Sequence, residues 1–397
     1  MTASDARAEM AFSTTPVAPG PAQLVDPNTF VFWIAAVATV YSAVQVFQQI
    51  TAAPVLQVLP AVGWLAVVLW STYAAVFVLV LTHHQLFVRR APAVLAGAFL
   101  WGGATATYFA AKANAALQDL IVVWVGVDLD EKWVTALAAA TNEEILKLLG
   151  VGVLFLLPRA RLRGAIDGLY YGAILGLGFQ VVEDFTYTVQ QSADLAGVVG
   201  FVVVRGLLTG IFSHAAYTAV TGAGLGYCVS RRDRPWPVRI GVAVGAFVAV
   251  WVLHMLWDAP LIDDAFGDSF GGAIAIVLVK GVPLVAIVLA ALHWARDAER
   301  RRWNGFVEEH VDHRVITPAE AAELQSYRSR RAAARRVRHD HGRVAAKARE
   351  ELQTAQVRYV QAAREEGPAS DSAVRWSERI AALRPAAWSH VPADSAI

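Results

Sequence analysis

Between residues 29 and 295 the chain is a succession of apolar runs, and a helix of roughly 20 such residues crosses the ~30 Å of a bilayer core. In lipid every backbone polar group must be paired within its own segment, which leaves helices as the solution for runs of this kind. The runs predict eight spans: Thr29–Ile50, Val55–His83, Pro92–Ala115, Val134–Leu157, Ala165–Val189, Val198–Val229, Val238–Ala259 and Gly271–Ala295. Water is excluded as the solvent, since 56% of the 397 residues are hydrophobic and 17% charged. The expected fold is an all-α polytopic membrane bundle of about eight transmembrane helices, followed by a charged, partly helical cytoplasmic C-terminal tail.

Charge divides the chain further. Residues 1–28 mix Ser, Thr, Pro and charges with no apolar stretch, so they read as a disordered segment and not as a cleavable leader. Residues 29–295 form the membrane domain, residues 296–366 a charged helical tail, and residues 367–397, rich in Ala, Pro and Ser, a loosely ordered C-terminus. The single cysteine, Cys228, rules out an intramolecular disulfide framework and a thiolate metal cluster. Arg89 and Arg90; Arg159, Arg161 and Arg163; Arg231, Arg232, Arg234 and Arg239; and Arg296 with Arg300 to Arg302 mark one side of the bilayer. Asp119, Asp128, Asp130, Glu131, Asp194, Asp263, Asp264 and Asp268 mark the other. The positive-inside rule makes the first side cytoplasmic and places both termini there. Trp101, Trp124, Trp133, Trp257 and Trp294 fall near span ends, as an interfacial belt requires. The basic stretch Arg328, Arg330, Arg331, Arg335, Arg336 and Arg338 suits anionic lipid headgroups or a protein partner better than nucleic acid. A solvated helix would also account for it.

The informative residues are those a bilayer should exclude. A charge at the centre of a span costs a few kcal/mol on insertion scales, so ionisable groups there mark function when partners exist. In the fourth span Glu143 and Glu144 are followed by Lys147, at i+4 and i+3, on the same helix face. The fifth carries Phe179 and, one turn on, Glu183, preceded by glycines that let helices approach closely. Asp184 points elsewhere, within reach of Arg205 or Lys280. His214 stands halfway along the sixth span, and His254 with Asp258 at i+4 lies in the seventh, a spacing at which a carboxylate can fix an imidazole's tautomer. Two histidines and three glutamates from four helices can either bind a divalent metal, such as zinc, or activate water through a glutamate. In the first case His214, His254 and Glu183 would be the ligands.

The set Glu143-Glu144-x-x-Lys147, Phe179-x-x-x-Glu183, His214 and His254-x-x-x-Asp258 resembles the motifs of the PrsW family of membrane peptidases, itself similar to the CAAX-protease and bacteriocin-processing superfamily. The motifs run from about Thr135 to Asp258, in order, on consecutive spans. The resemblance implies site-1-type cleavage of a single-span membrane protein, such as an anti-sigma factor. It assigns water activation to Glu143 and Glu144, with Glu183, His214 and His254 completing the site, and with Lys147, Phe179 and Asp258 in support. The favoured mechanism is glutamate-activated water without a cofactor; a zinc-dependent mechanism is the alternative. Leu148 and Glu183 stand where the prenyl-protein branch would have a basic residue and a His, which argues against a prenylated substrate. No His-Glu-x-x-His occurs, and the string Gly267-Asp268-Ser269-Phe270-Gly271 lies in an acidic loop, not on a strand-to-helix turn. Two readings of other classes compete. A proton-coupled transporter or channel would spread Glu143, Glu183, His214 and His254 across the membrane's depth. A membrane scaffold would act through the basic tail.

Overall fold

The computed structural model describes residues 29–83, 92–125, 131–156, 164–262 and 269–388, and every regular element among them is a helix. The N-terminal segment, Arg89 and Arg90, Arg159, Arg161 and Arg163, and the loop residues Asp128, Asp130, Asp263, Asp264 and Asp268 lie outside the described residues, as do Gly267 and Asp268 of the Gly-x-Ser-x-Gly string.

The membrane unit contains α1 (Phe30–Thr51), α2 (Pro54–Val58), α3 (Pro60–His83), α4 (Pro92–Leu100), α5 (Thr107–Val125), α6 (Glu131–Leu156), α7 (Ala165–Gln191), α8 (Leu195–Phe201), α9 (His214–Ser230), α10 (Trp236–Asp258) and the first part of α11 (Phe270–His310). Six of the described helical segments are long and apolar enough to cross a bilayer, or seven when Leu195–Leu208 and Gly210–Ser230 count as one bent span. The expected count was eight. The segment that falls short is α6, 26 residues long, because Glu131, Lys132, Glu143, Glu144 and Lys147 dilute its apolar stretch. Outward-facing positions such as Val37, Val40, Leu79, Val80, Val282 and Leu289 are large and apolar, the arrangement expected where lipid and not water is the solvent.

α7 is the axis of this unit, buried along nearly its whole length. Its glycines explain why: a methyl group at Gly172 or Gly176 would collide with the carbonyls of Thr218 and His214 on α9. Small residues here let two backbones touch, as at many membrane helix contacts. On the opposite side the chain between α4 and α5 widens into a π-helical turn, Trp101–Ala106, whose Gly102 and Gly103 abut α7 at Leu175 and Gly178. Trp70 of α3 donates from Nε1 to Thr188 Oγ1 at 3.0 Å, closing the third side. Trp101 packs against Gly150 of α6.

The sixth span departs from its expected form. It breaks into α8 with a π-helical stretch, Val202–Leu208, and then, after a 3₁₀ turn at Gly210–Phe212, α9, with a 54° bend. Gly210 and the extended Ser213 interrupt the ladder. His214 consequently opens a half-helix and does not sit in mid-helix.

A second compact unit is formed by the described residues from Arg300 onward. The end of α11, α12 (Pro318–Leu324), α13 (Tyr327–Glu366) and α14 (Asp371–Trp388) enclose a core of Trp303, Val307, Leu324, Leu352, Val360 and Ile380. Capping boxes at Thr317 with Glu320 and at Ser326 with Ser329 start α12 and α13. Residues 371–388, expected to be loosely ordered, are helical because Ala373, Ile380 and Ala387 recur every seven residues and share one buried face. Residues 389–397 lie outside the described residues.

Candidate active site

α6 supplies the centre. Glu143, Glu144 and Lys147 are buried, with 4%, 0% and 0% of their surfaces exposed. The helical spacing brings Lys147 Nζ to 2.8 Å from Glu144 Oε1 and 3.3 Å from Glu143 Oε2, so one ammonium serves two adjacent carboxylates. Asn114 of α5 donates from Nδ2 to Glu143 Oε1 at 3.2 Å and accepts from Asn142 at 3.1 Å. Trp251 of α10 ties that helix to α6 through Thr141 Oγ1 at 3.0 Å.

The two histidines are each held by a different glutamate. His214 Nδ1 lies 2.8 Å from Lys147 Nζ, and its Nε2 lies 2.9 Å from Glu183 Oε2 on α7. An ammonium can only donate, so Nδ1 accepts and the ring proton faces Glu183. His254 Nδ1 lies 2.9 Å from Glu144 Oε1, while its Nε2 is 3.4 Å from Asp258 Oδ2 and 3.8 Å from Glu143 Oε2. The expected i+4 partnership of Asp258 with His254 is thus present. Aromatic rings fix the rest: Tyr217 stacks on His254 with centroids 4.8 Å apart and planes 17° apart, and Phe179 packs against His214 at 4.8 Å and offers its face to Lys147 Nζ at 4.2 Å. All the residues singled out in the sequence, Glu143, Glu144, Lys147, Phe179, Glu183, His214, His254 and Asp258, belong to this one cluster.

Above it opens a cavity of about 610 Å³. Glu143, Glu183, His214, His254 and Asp258 reach its wall, whereas Glu144 and Lys147 do not line it. The wall also holds Arg205, presented by the π-helical stretch; its guanidinium pairs with Asp184 through Nε, stacks over Tyr187, and lies 3.6 Å from Glu183 Oε2. Lys280, the other partner considered for Asp184, bonds instead to the carbonyls of Trp257 and Ala259 at the end of α10.

Glu143, His214 and His254 each place one donor atom within 4.8 Å of the other two. A buried carboxylate and two imidazoles are a donor set suited to zinc or a similar divalent ion, and they could hold a metal. The third member is Glu143 and not Glu183, because Glu183 is spent on the far nitrogen of His214, where it orients the ring. Asn114 was not singled out in the sequence. Its only sequence signal is an amide within an apolar helix, since the third helix runs to Val125 and not to Ala115.

Convergence at one depth distinguishes this arrangement from a proton relay, which would string the same groups across the bilayer. No curated protein and no solved structure matches the chain. A family model described as PrsW family intramembrane metalloprotease matches residues 90–295, just over half of the sequence and more than the stretch that carries the motifs. The chain belongs to the PrsW family of intramembrane metalloproteases.

Proposed function

We propose that this protein hydrolyses a peptide bond of a single-span, membrane-anchored protein, with an anti-sigma factor as the type of substrate, in the cavity above Glu143. The observation that carries the reading is that Glu143, His214 and His254, from three helices, meet at the wall of a cavity roomy enough for a few residues of extended peptide. In the preferred mechanism Glu143 accepts the proton of the attacking water, a role it can take because it faces the cavity and is held in place by Asn114 and Lys147. His254, oriented by Glu144 and Asp258, donates to the oxyanion that develops on the scissile carbonyl, and His214, its proton held by Glu183, keeps Lys147 and Glu143 in register beside it. Arg205 keeps Glu183 directed at His214.

The same three residues fit a divalent cation in kind and in spacing, which favours the metal-dependent variant as a second reading. Such an ion, when bound, polarises the carbonyl and lowers the pKa of water. Glu144 and Glu183 would orient the two imidazoles equally well in that case.

Both termini are assigned to the cytoplasm by the arginine-rich connections, and the exposed basic face of α13, with Arg331, Arg335, Arg336 and Arg338, to contact with anionic lipid or a protein partner. The deciding experiment co-expresses candidate single-span substrates with wild type, Glu143→Gln or His214→Ala at matched protein levels. Cleavage by wild type alone supports the reading. Cleavage that survives both substitutions overturns it.

A further inference from the structure

Lys147 Nζ sits against two of the three atoms that a metal would need: His214 Nδ1 at 2.8 Å and Glu143 Oε2 at 3.3 Å. The imidazole Nδ1 has one lone pair, which either accepts from the ammonium or binds an ion, never both. We infer that Lys147 is an internal cation competing with a divalent metal for His214 and Glu143, so that the position of this side chain sets the metal affinity of the site. The inference rests on the peptidase site described above and concerns how that site is loaded.

The surroundings give the displaced ammonium somewhere to go. Glu144 Oε1 already holds it at 2.8 Å, and the face of Phe179 lies 4.2 Å away. Glu144 Oε2 is buried with no hydrogen-bond partner among the described residues, which is uncommon for a carboxylate oxygen inside a protein. A small rotation of the lysine tip toward Oε2 therefore exchanges the bond to His214 for a second bond to Glu144, and the charge stays buried and paired. Glu183 keeps the His214 proton on Nε2 throughout, so the Nδ1 lone pair is released toward Glu143 and His254 without any change of tautomer. The geometry thus describes one site with two alternative cations: the lysine of its own helix, or a metal ion.

The test measures metal binding directly. Full-length protein in nanodiscs is titrated with cobalt(II), whose ligand-field absorption reports coordination by nitrogen and oxygen donors, in wild type, Lys147→Met, Lys147→Arg and His214→Ala. Removing the competing charge-assisted hydrogen bond should tighten cobalt binding about tenfold or more in Lys147→Met, while Lys147→Arg binds no more tightly than wild type and His214→Ala loses binding. Because Lys147→Met leaves two buried carboxylates without their ammonium, the double variant Lys147→Met/Glu144→Gln, which strands one carboxylate fewer, carries the same expectation should the single variant melt early. Equal affinity in wild type and in the folded lysine-free variants overturns the competition. Absence of cobalt binding in every variant overturns it as well, and in that event cleavage by wild type in the presence of chelator still supports the peptidase reading.

Discussion

His214 of α9 and Glu183 of α7 meet at 2.9 Å, Nε2 to Oε2, across the interface where glycines bring the two backbones into contact. The carboxylate decides which nitrogen of the ring carries the proton, and thereby which one faces Glu143. Glu183→Gln should retain the fold, since Arg205 keeps Asp184, but lose about 10–100-fold in substrate cleavage, the usual effect of removing an orienting carboxylate. Proteolysis assayed beside a melting curve in detergent separates this from unfolding; a variant that melts as wild type does and cleaves at the wild-type rate contradicts the role.

Glu143→Gln keeps the shape of the side chain and its contact with Asn114 but removes its basicity. Cleavage should fall by at least about 100-fold, the lower end of what a positioned base contributes. Asn114→Ala should lower cleavage more mildly, because it loosens Glu143 without removing it. Rates for the pair on one substrate check the order, and a larger loss in Asn114→Ala would contradict it.

Gly176 has no room for a side chain against the His214 carbonyl. Gly176→Ala should therefore destabilise the membrane unit by about 1–3 kcal/mol, the cost typical of overpacking, and displace His214 as it does so. Gly241, with nothing near its missing side chain, is the control: Gly241→Ala should leave the melting temperature unchanged or slightly raised.

In the second unit Ile380 is 1% exposed within a small core. Ile380→Ala should cost about 2–5 kcal/mol locally and open the end of the chain to limited proteolysis. Digestion patterns that match wild type would show that α14 contributes little to that core.

The site was readable from sequence because bilayers make charge conspicuous: Glu143, Glu144, Lys147, Glu183, His214 and His254 are costly where they stand, and their helical spacings assign faces. What stayed hidden was tertiary. Nothing in the run Val198–Val229 announces that its ladder changes to π-helical at Val202 and breaks near Gly210, which is what presents Arg205 and puts His214 at a helix start. The choice between Glu143 and Glu183 as the companion of both histidines depends on which ring nitrogen each reaches, a distance across helices that periodicity does not encode. α14 is hidden for a compositional reason, since its Ala-rich run, with Ile380 between Ala373 and Ala387 at heptad spacing, looks like a linker until a partner helix buries it.

α6 carries the adjacent glutamates and the lysine of the site and, among the described residues, is the one long helix of the membrane unit too polar to cross a bilayer by its own hydropathy. A lysine at mid-span alone opposes insertion by about 2.5–3.5 kcal/mol. The pairing that Glu143, Glu144 and Lys147 begin within the helix is completed by Asn114 of α5, His214 of α9 and His254 of α10, so the helix is stable in lipid in the company of these neighbours. Insertion and assembly of the site are thereby coupled, and a nascent chain whose α6 has not met Asn114, His214 and His254 has a less stable place in the membrane in which to cut anything.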